Sequence, residues 1–345
     1  MLSQRAKAIR DFILDTVPNN PSQIGRLTRQ QFGLTRQVVN RHLAELVNRG
    51  ELEETARRSY RLKVLSRKVA FSLSDHSDEE ETWRLHIADL FLGLPENIQR
   101  ICYYGFTEMY NNAVDHSTGS KIDVEVIVEP RRVLLALDDD GIGIFEKIRS
   151  FLGFEDHHQA ILELSKGKLT TDPRRHTGQG IFFTSRMFDM FALRANNLAY
   201  IHSVGITNDW MIQMERNEKG TGVIMEIRKE SERTTREVFD RYSSDDENYL
   251  FCRTHVPLSL ANYGGDQLVS RSQAKRILAR FEQFEEVLLD FKGVEEIGQA
   301  FADEIFRVYH FSHPKVRIIP LNVSPYVDRM IRRAMAGRDE SAPSE

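Results

Sequence analysis

The stretch FTEMYNNAVDHSTGSK, Phe106 to Lys121, narrows the possibilities most. It reads as a helix closing at Thr118-Gly119, with Glu108, Asn112 and His116 at successive four-residue steps. On a helix such residues stack along one side, while Cys102, Phe106, Met109 and Ala113 can face a core. An acid, an amide and an imidazole in line beside an apolar stripe make a pocket wall; a polar, solvent-facing helix surface is the plainer reading of this stretch alone. An asparagine carbonyl oxygen is a hard ligand suited to Mg²⁺. A glutamate one turn earlier can orient or deprotonate a water in line with a phosphate.

Three further stretches follow in order. After a hairpin written KIDVEVIVEP-RRVLLAL comes DDDGIGI at 138–144, where a strand gives way to Gly141 and Gly143. Glycine lets backbone pass where a Cβ would collide with a flat ligand, and a carboxylate at Asp139 is an acceptor for an exocyclic amine such as that of adenine. RRHTGQGIFFTSRMFDMF at 174–191 places Thr177-Gly178-Gln179-Gly180 at the start of an apolar helix, beside Arg174, Arg175 and His176. Free amides at a helix N-terminus favour phosphate. NEKGTGVIMEI at 217–227 is a turn into a strand carrying Gly220-Thr221-Gly222. Taken singly, each is also what an ordinary turn or capped helix looks like.

Together, ExxxNAxxHS, DxGxG, TGxG before a helix and GTG before a strand closely resemble the motifs of the GHKL superfamily, which spans gyrase-type topoisomerases, heat-shock chaperone ATPases, histidine kinases and mismatch-repair ATPases. The Glu-Asn-His helix is most similar to the serine kinases that act as anti-sigma factors. The resemblance covers about 150 residues. It implies a Bergerat α/β sandwich, a mixed sheet with helices on one face, holding ATP beneath a mobile lid made from about 145–177. It further implies Glu108 as general base or water-orienting residue, Asn112 as Mg²⁺ ligand, and Asp139 as receiver of the adenine amino group. Gly141 and Gly143 would shape the adenine wall, with Gly178 and Gly180, flanked by Thr177 and Gln179, at the phosphates. Thr221 would support the adenine contact, and His116 either helps the site or makes a structural hydrogen bond. Asn111 competes with Asn112, since the family needs one asparagine. A histidine kinase would need a phosphoaccepting histidine; His76 and His86 are poor candidates, one in a polar loop and one in a helix belonging to the ATP domain.

Ahead of this segment, RAKAIRDFILDTV carries an apolar stripe of Ile9, Phe12, Ile13 and Val17. A short helix, a turn at Phe32-Gly33-Leu34 and a second helix follow, the latter opened by Thr35 as N-cap and stopped at Gly50. Strands at Glu51–Glu54 and Ser59–Leu62 complete residues 1–65, which resemble a winged helix-turn-helix domain. Its last helix would bury Val38, Val39, Leu43 and Leu46 and expose Arg36, Gln37, Asn40 and Arg41, side chains that reach base edges. Arg57, Arg58 and Arg61 sit where a wing meets phosphate. DNA is therefore an expected partner, and paired half-sites would make the protein a homodimer. A winged helix used for protein contact is the alternative.

Past the ATP segment, expected over 78–230, residues 231–248 read as a polar linker and 249–336 as a small α/β domain, with a disordered tail at 337–345. This domain resembles STAS domains, most of all a STAS-like variant of unknown function carrying IGQAFADEIFRVY at 297–309. The turn Glu296-Ile297-Gly298-Gln299-Ala300 lacks the hydroxyl that phosphorylatable relatives place there, so the domain reads as a sensor or docking element for a protein partner. Asp303 and Glu304 read as a solvated or interface pair.

The fold class expected is thus α/β multidomain. The function expected is Mg²⁺-dependent ATP hydrolysis coupled to nucleic-acid binding or partner signalling; the alternatives are an anti-sigma-type serine/threonine kinase and a non-catalytic ATP-liganded transcription regulator. With 41% hydrophobic and 28% charged residues, neither wholesale disorder nor a membrane protein is suggested. No run of about 18 apolar residues exists, and the N-terminus lacks the apolar core of a secretion signal, which points to the cytoplasm. Net charge is −4, yet residues 1–63 hold about twice as many basic as acidic side chains. Cys102 and Cys252 read as buried thiols.

Overall fold

The computed structural model describes residues 4–56, 58–73, 78–172, 174, 176–204, 209–216, 219–244, 250–261 and 267–336. It is an α/β multidomain protein. The first unit consists of α1 (Gln4–Thr16), α2 (Ile24–Phe32), α3 (Arg36–Asn48) and an antiparallel hairpin of β1 (Leu52–Ala56) and β2 (Ser59–Leu62). Ile9, Ile13, Leu14, Val17, Ile24, Val39, Leu43, Leu46 and Leu52 form its own core. The Thr35 hydroxyl accepts from Val38 N at 3.4 Å, and α3 ends with Gly50 at φ 68° and Glu51 N bonded to Leu46 O. Val38, expected inside, is only partly covered, because it lies in the first turn beside the cap.

β3 (Leu65–Ser72), α4 (Glu79–His86) and α5 (Glu96–His116) lead into β4 (Lys121–Val128) and β5 (Arg132–Asp139). Next come α6 (Ile144–Leu152), α7 (His157–Lys166), α8 (Gly180–Met187), β6 (Met190–Ala195), β7 (Leu198–Ser203), β8 (Trp210–Gln213) and β9 (Thr221–Arg228). These strands make a seven-stranded sheet in the order β3-β4-β5-β9-β6-β7-β8. Two expectations change here. All its strand pairs are antiparallel, so the sheet is not mixed. It also begins at Leu65, ahead of residue 78, because Leu65–Ser72 pairs along its whole length with Lys121–Val128. Alternation along β4 and β5 buries Ile122, Val124, Val126, Val133, Leu135 and Leu137 on one face. Helices α5 and α8 cover that face, with Gly105 of α5 so close to Phe188 that a Cβ would lie 2.5 Å from the ring.

The expected linker is also different. Within it, α9 (Thr235–Tyr242) opens with a reciprocal capping box between Thr234 and Glu237 and buries Val238 and Tyr242. Phe239 meets Phe183 of α8 at 4.5 Å between ring centres, and Tyr242 meets Phe182 at 5.0 Å. Aromatic docking turns a polar stretch into part of the core.

The last unit has a three-stranded parallel sheet of β10 (Arg253–Pro257), β11 (Glu286–Asp290) and β12 (Arg317–Leu321) in that order. Around it lie α10 (Arg271–Leu278), α11 (Gln299–Asp303), which runs on through a π-helical turn at Glu304–Tyr309 into α12 (His310–Ser312), and α13 (Pro325–Ala336). Asp303 takes Arg307 at 2.5 Å, and Glu304 is buried within 3.9 Å of Lys275. The acidic pair is therefore internal to this domain, not a solvated face.

Candidate functional site

A cavity of about 320 Å³ opens between α5, the sheet and the α6–α8 segment. Its wall brings together Glu108, Asn112 and His116 from α5, Asp139 from β5, Gly143 ahead of α6, Thr177 to Gly180 at the start of α8, and Thr221 from β9. Residues spread over more than a hundred positions thus converge on one ligand-sized space. Asn111 lines it too, so the structure leaves both asparagines beside the cavity.

The acidic end is set by α5 against α8. Burial pushes the Glu108 carboxyl above its usual range, opposed by a hydrogen bond with Tyr104 and by the charge of His176. Gly180 approaches this carboxyl closely: a Cβ there would strike the Glu108 Oε2 and come within 2.9 Å of its Cδ, so a larger residue would displace the Glu108 side-chain end. The start of α8 therefore lies beside the Glu108 side chain, and the free amides of a helix start are donors that suit an anionic ligand. Asn112 Nδ2 is buried with no hydrogen-bond partner among the described residues. Buried amides are rarely left so, and an orphaned one at a pocket wall is a place for a ligand.

At the other end, Asp139 Oδ1 accepts from Gly141 N at 2.8 Å and from Thr221 N at 3.2 Å. Burial still raises its pKa, against those two amides. Thr221 Oγ1 accepts from Ile144 N at 3.0 Å, and Asn196 Oδ1 accepts from Glu146 N at 3.0 Å, so these two side chains satisfy the open start of α6. Gly141 does not reach the cavity: a Cβ there would strike the Ser117 carbonyl, so this glycine serves the packing of the α5 end against the turn.

Several lining residues escaped the sequence reading. Lys147 donates to the His116 carbonyl at 2.7 Å, and burial lowers its pKa. Burial lowers the His116 pKa too, helped by the Lys147 charge. The rings of His116 and His176 stand 4.7 Å apart, and His176 lies 3.3 Å from Asp115. The signal for Lys147 was present: Ile144, Lys147 and Ile148 share one α6 face, a lysine on an apolar stripe. Leu164, Leu169, Thr170 and Thr171 also line the cavity, and Leu169 N bonds to Gly178 O at 3.2 Å, folding this loop over the α8 start. Arg174 is exposed away from the wall, and Arg175 lies outside the described residues.

Elsewhere, Arg36, Gln37, Asn40 and Arg41 are all exposed on α3. Arg58 is exposed at the hairpin turn in the left-handed region, Arg61 is engaged by Glu53, and Arg57 lies outside the described residues. Of the two histidines weighed as phosphoacceptors, His86 ends α4 and packs on Phe71 at 5.3 Å, and His76 lies outside the described residues. Among the described residues, no helix is long and apolar enough to cross a membrane, and no group of three or more His, Cys, Asp or Glu side chains is placed to hold a metal.

No curated protein matches the chain. Residues 273–328, from α10 to the first turn of α13, match the family described as a STAS-like domain of unknown function (DUF4325).

Proposed function

We propose that the chain is a regulatory ATP-binding protein whose central unit is a GHKL-type domain, with Mg²⁺-dependent ATP hydrolysis coupled to its flanking domains. The observation that carries this reading is the convergence of Glu108, Asn112, Asp139 and the Gly178–Gly180 amides on one cavity. Asp139, held by two amides on Oδ1, offers its other oxygen to the adenine amine. The amides at the α8 start, with Lys147 and His176 on the same wall, suit phosphates. Mg²⁺ would neutralise phosphate charge, and the Asn112 carbonyl is the hard oxygen ligand for it; the unpartnered Asn112 Nδ2 beside it is a donor that suits a phosphate oxygen. Glu108 holds the water, its raised pKa bringing it nearer to the range useful for a general base.

The first unit fits a winged helix reading DNA through Arg36, Gln37, Asn40 and Arg41, with Arg58 on phosphate. The last unit fits protein docking.

The test is ATP turnover by the full chain with Mg²⁺. Glu108→Gln should keep ATP binding and lower phosphate release by about a hundredfold or more, the range for a lost general base; unchanged release would remove Glu108 from the chemistry. Labelled γ-phosphate separates the outcomes: free phosphate marks hydrolysis, label on a protein marks a kinase, and binding with neither marks a liganded regulator.

A further inference from the structure

The cavity wall contributed by 164–171 has a second side. Leu164, Leu169, Thr170 and Thr171 face the cavity, whereas Glu163, Lys166, Gly167 and Lys168 bond into the STAS-like unit and the segment leading to it. Lys166 is wholly buried, donating to Glu163 Oε1 at 2.5 Å and to Ala279 O at 2.9 Å. Arg280 donates to Glu163 Oε2 at 3.1 Å, to Glu163 O at 3.3 Å and to Gly167 O at 2.8 Å. Thr254 Oγ1 donates to Lys166 O at 2.7 Å, and Lys168 Nζ donates to Gln283 O at 2.6 Å while lying over the rings of Phe251 and Phe284.

Most of these bonds end on main-chain carbonyls, at Glu163, Lys166 and Gly167 on one side and at Ala279 and Gln283 on the other. They therefore set backbone position, which side-chain ion pairs on a surface do not. A second line of contact runs in parallel. Phe251 sits so close over Gly167 that a Cβ there would lie 2.8 Å from its ring, and it packs at 4.7 Å on Phe182, which lines the cavity.

We propose that the STAS-like domain is an internal regulator of the nucleotide site: through Arg280 it clamps the 163–171 segment in the position that completes the cavity, making Arg280 a positioning residue for nucleotide. This rests on the nucleotide reading above. Whatever partner engages the STAS-like domain near Arg280 and Gln283 then changes nucleotide affinity, and nucleotide changes the partner's affinity by the same factor, since coupling of two binding events is reciprocal.

The experiment uses the full chain, with Mg²⁺-ATP binding followed by calorimetry and amide hydrogen exchange followed by mass spectrometry. Arg280→Ala should weaken ATP binding by roughly tenfold, within the usual range of such couplings, and speed exchange in 163–171 while leaving exchange in β4 and β5 unchanged. Arg280→Lys, which keeps the charge but not the two-armed donor, should recover part of both. Lys168→Met keeps the stem over the rings and loses the Gln283 bond; it should move both readouts the same way by less, and it decides the matter if Arg280→Ala does not fold. Variants that fold, bind ATP like the parent and exchange 163–171 like the parent overturn the clamp. A parent that binds no ATP overturns the nucleotide reading instead, and the clamp then stands or falls on exchange alone.

Discussion

At the scale of single residues, Glu108 shows how burial sets chemistry. Its carboxyl gains a Tyr104 partner, but loss of water dominates and raises its pKa. In the proposed role of base it acts deprotonated, so turnover should rise as pH climbs through that raised pKa. The acid limb of a pH–rate profile should lie above the ordinary 4.5 of a glutamate and vanish in Glu108→Gln. Asp139→Asn keeps an oxygen for Gly141 N and Thr221 N; it should fold and lose adenine-nucleotide affinity, by about tenfold or more, in a calorimetric titration. The four-residue spacing of Glu108, Asn112 and His116 was legible because helix geometry alone aligns them. Asn196, which caps α6 from the β6–β7 turn, was not, because nothing local to Asn196-Asn197 names its partner fifty residues away.

Elements were legible where capping and alternation are strong, as in α3 with Thr35 and Gly50, and in β4 with β5. They were hidden where tertiary contacts decide. The α9 segment buries few of its residues, so its composition resembles a linker; the aromatic cluster with Phe182, Phe183 and Phe251 supplies what periodicity lacks. Phe251→Ala should therefore cost about 3–5 kcal/mol by denaturant unfolding, the range for emptying a buried aromatic site. Thr234→Ala should cost about 1 kcal/mol, as for loss of an N-cap. Strand order was out of reach, since placing β9 between β5 and β6 rests on pairings such as Asp138 with Gly222 and Arg194 with Gly222.

Across the whole molecule, the joints differ in kind. The STAS-like unit meets the central unit through buried groups, whereas Arg131 in the β4–β5 turn reaches α1 of the first unit through Asp15 at 2.6 Å, the Asp11 carbonyl at 3.3 Å and the Asp11 carboxylate at 3.8 Å. Partly exposed ion pairs are worth only about 0–1 kcal/mol each. Arg131→Ala should thus raise exchange in α1 with no change in ATP affinity. Arg36→Ala and Arg41→Ala should weaken DNA binding, and the parent's affinity should fall steeply with salt; salt-independent binding would assign α3 to protein contact.

The two cysteines sit in different parts of this arrangement. Cys102 is wholly enclosed within α5, and burial pushes its thiol far up; Cys252, beside the first strand of the last unit, is nearly covered, and burial raises it less. A thiol reagent reacts with thiolate, so each side chain must first be uncovered. The chain therefore carries two clocks. Modification of Cys252 times the parting of the last unit from the central one, and modification of Cys102 times the collapse of the central core. Under mild denaturant the two rates should separate, and saturating Mg²⁺-ATP should slow both.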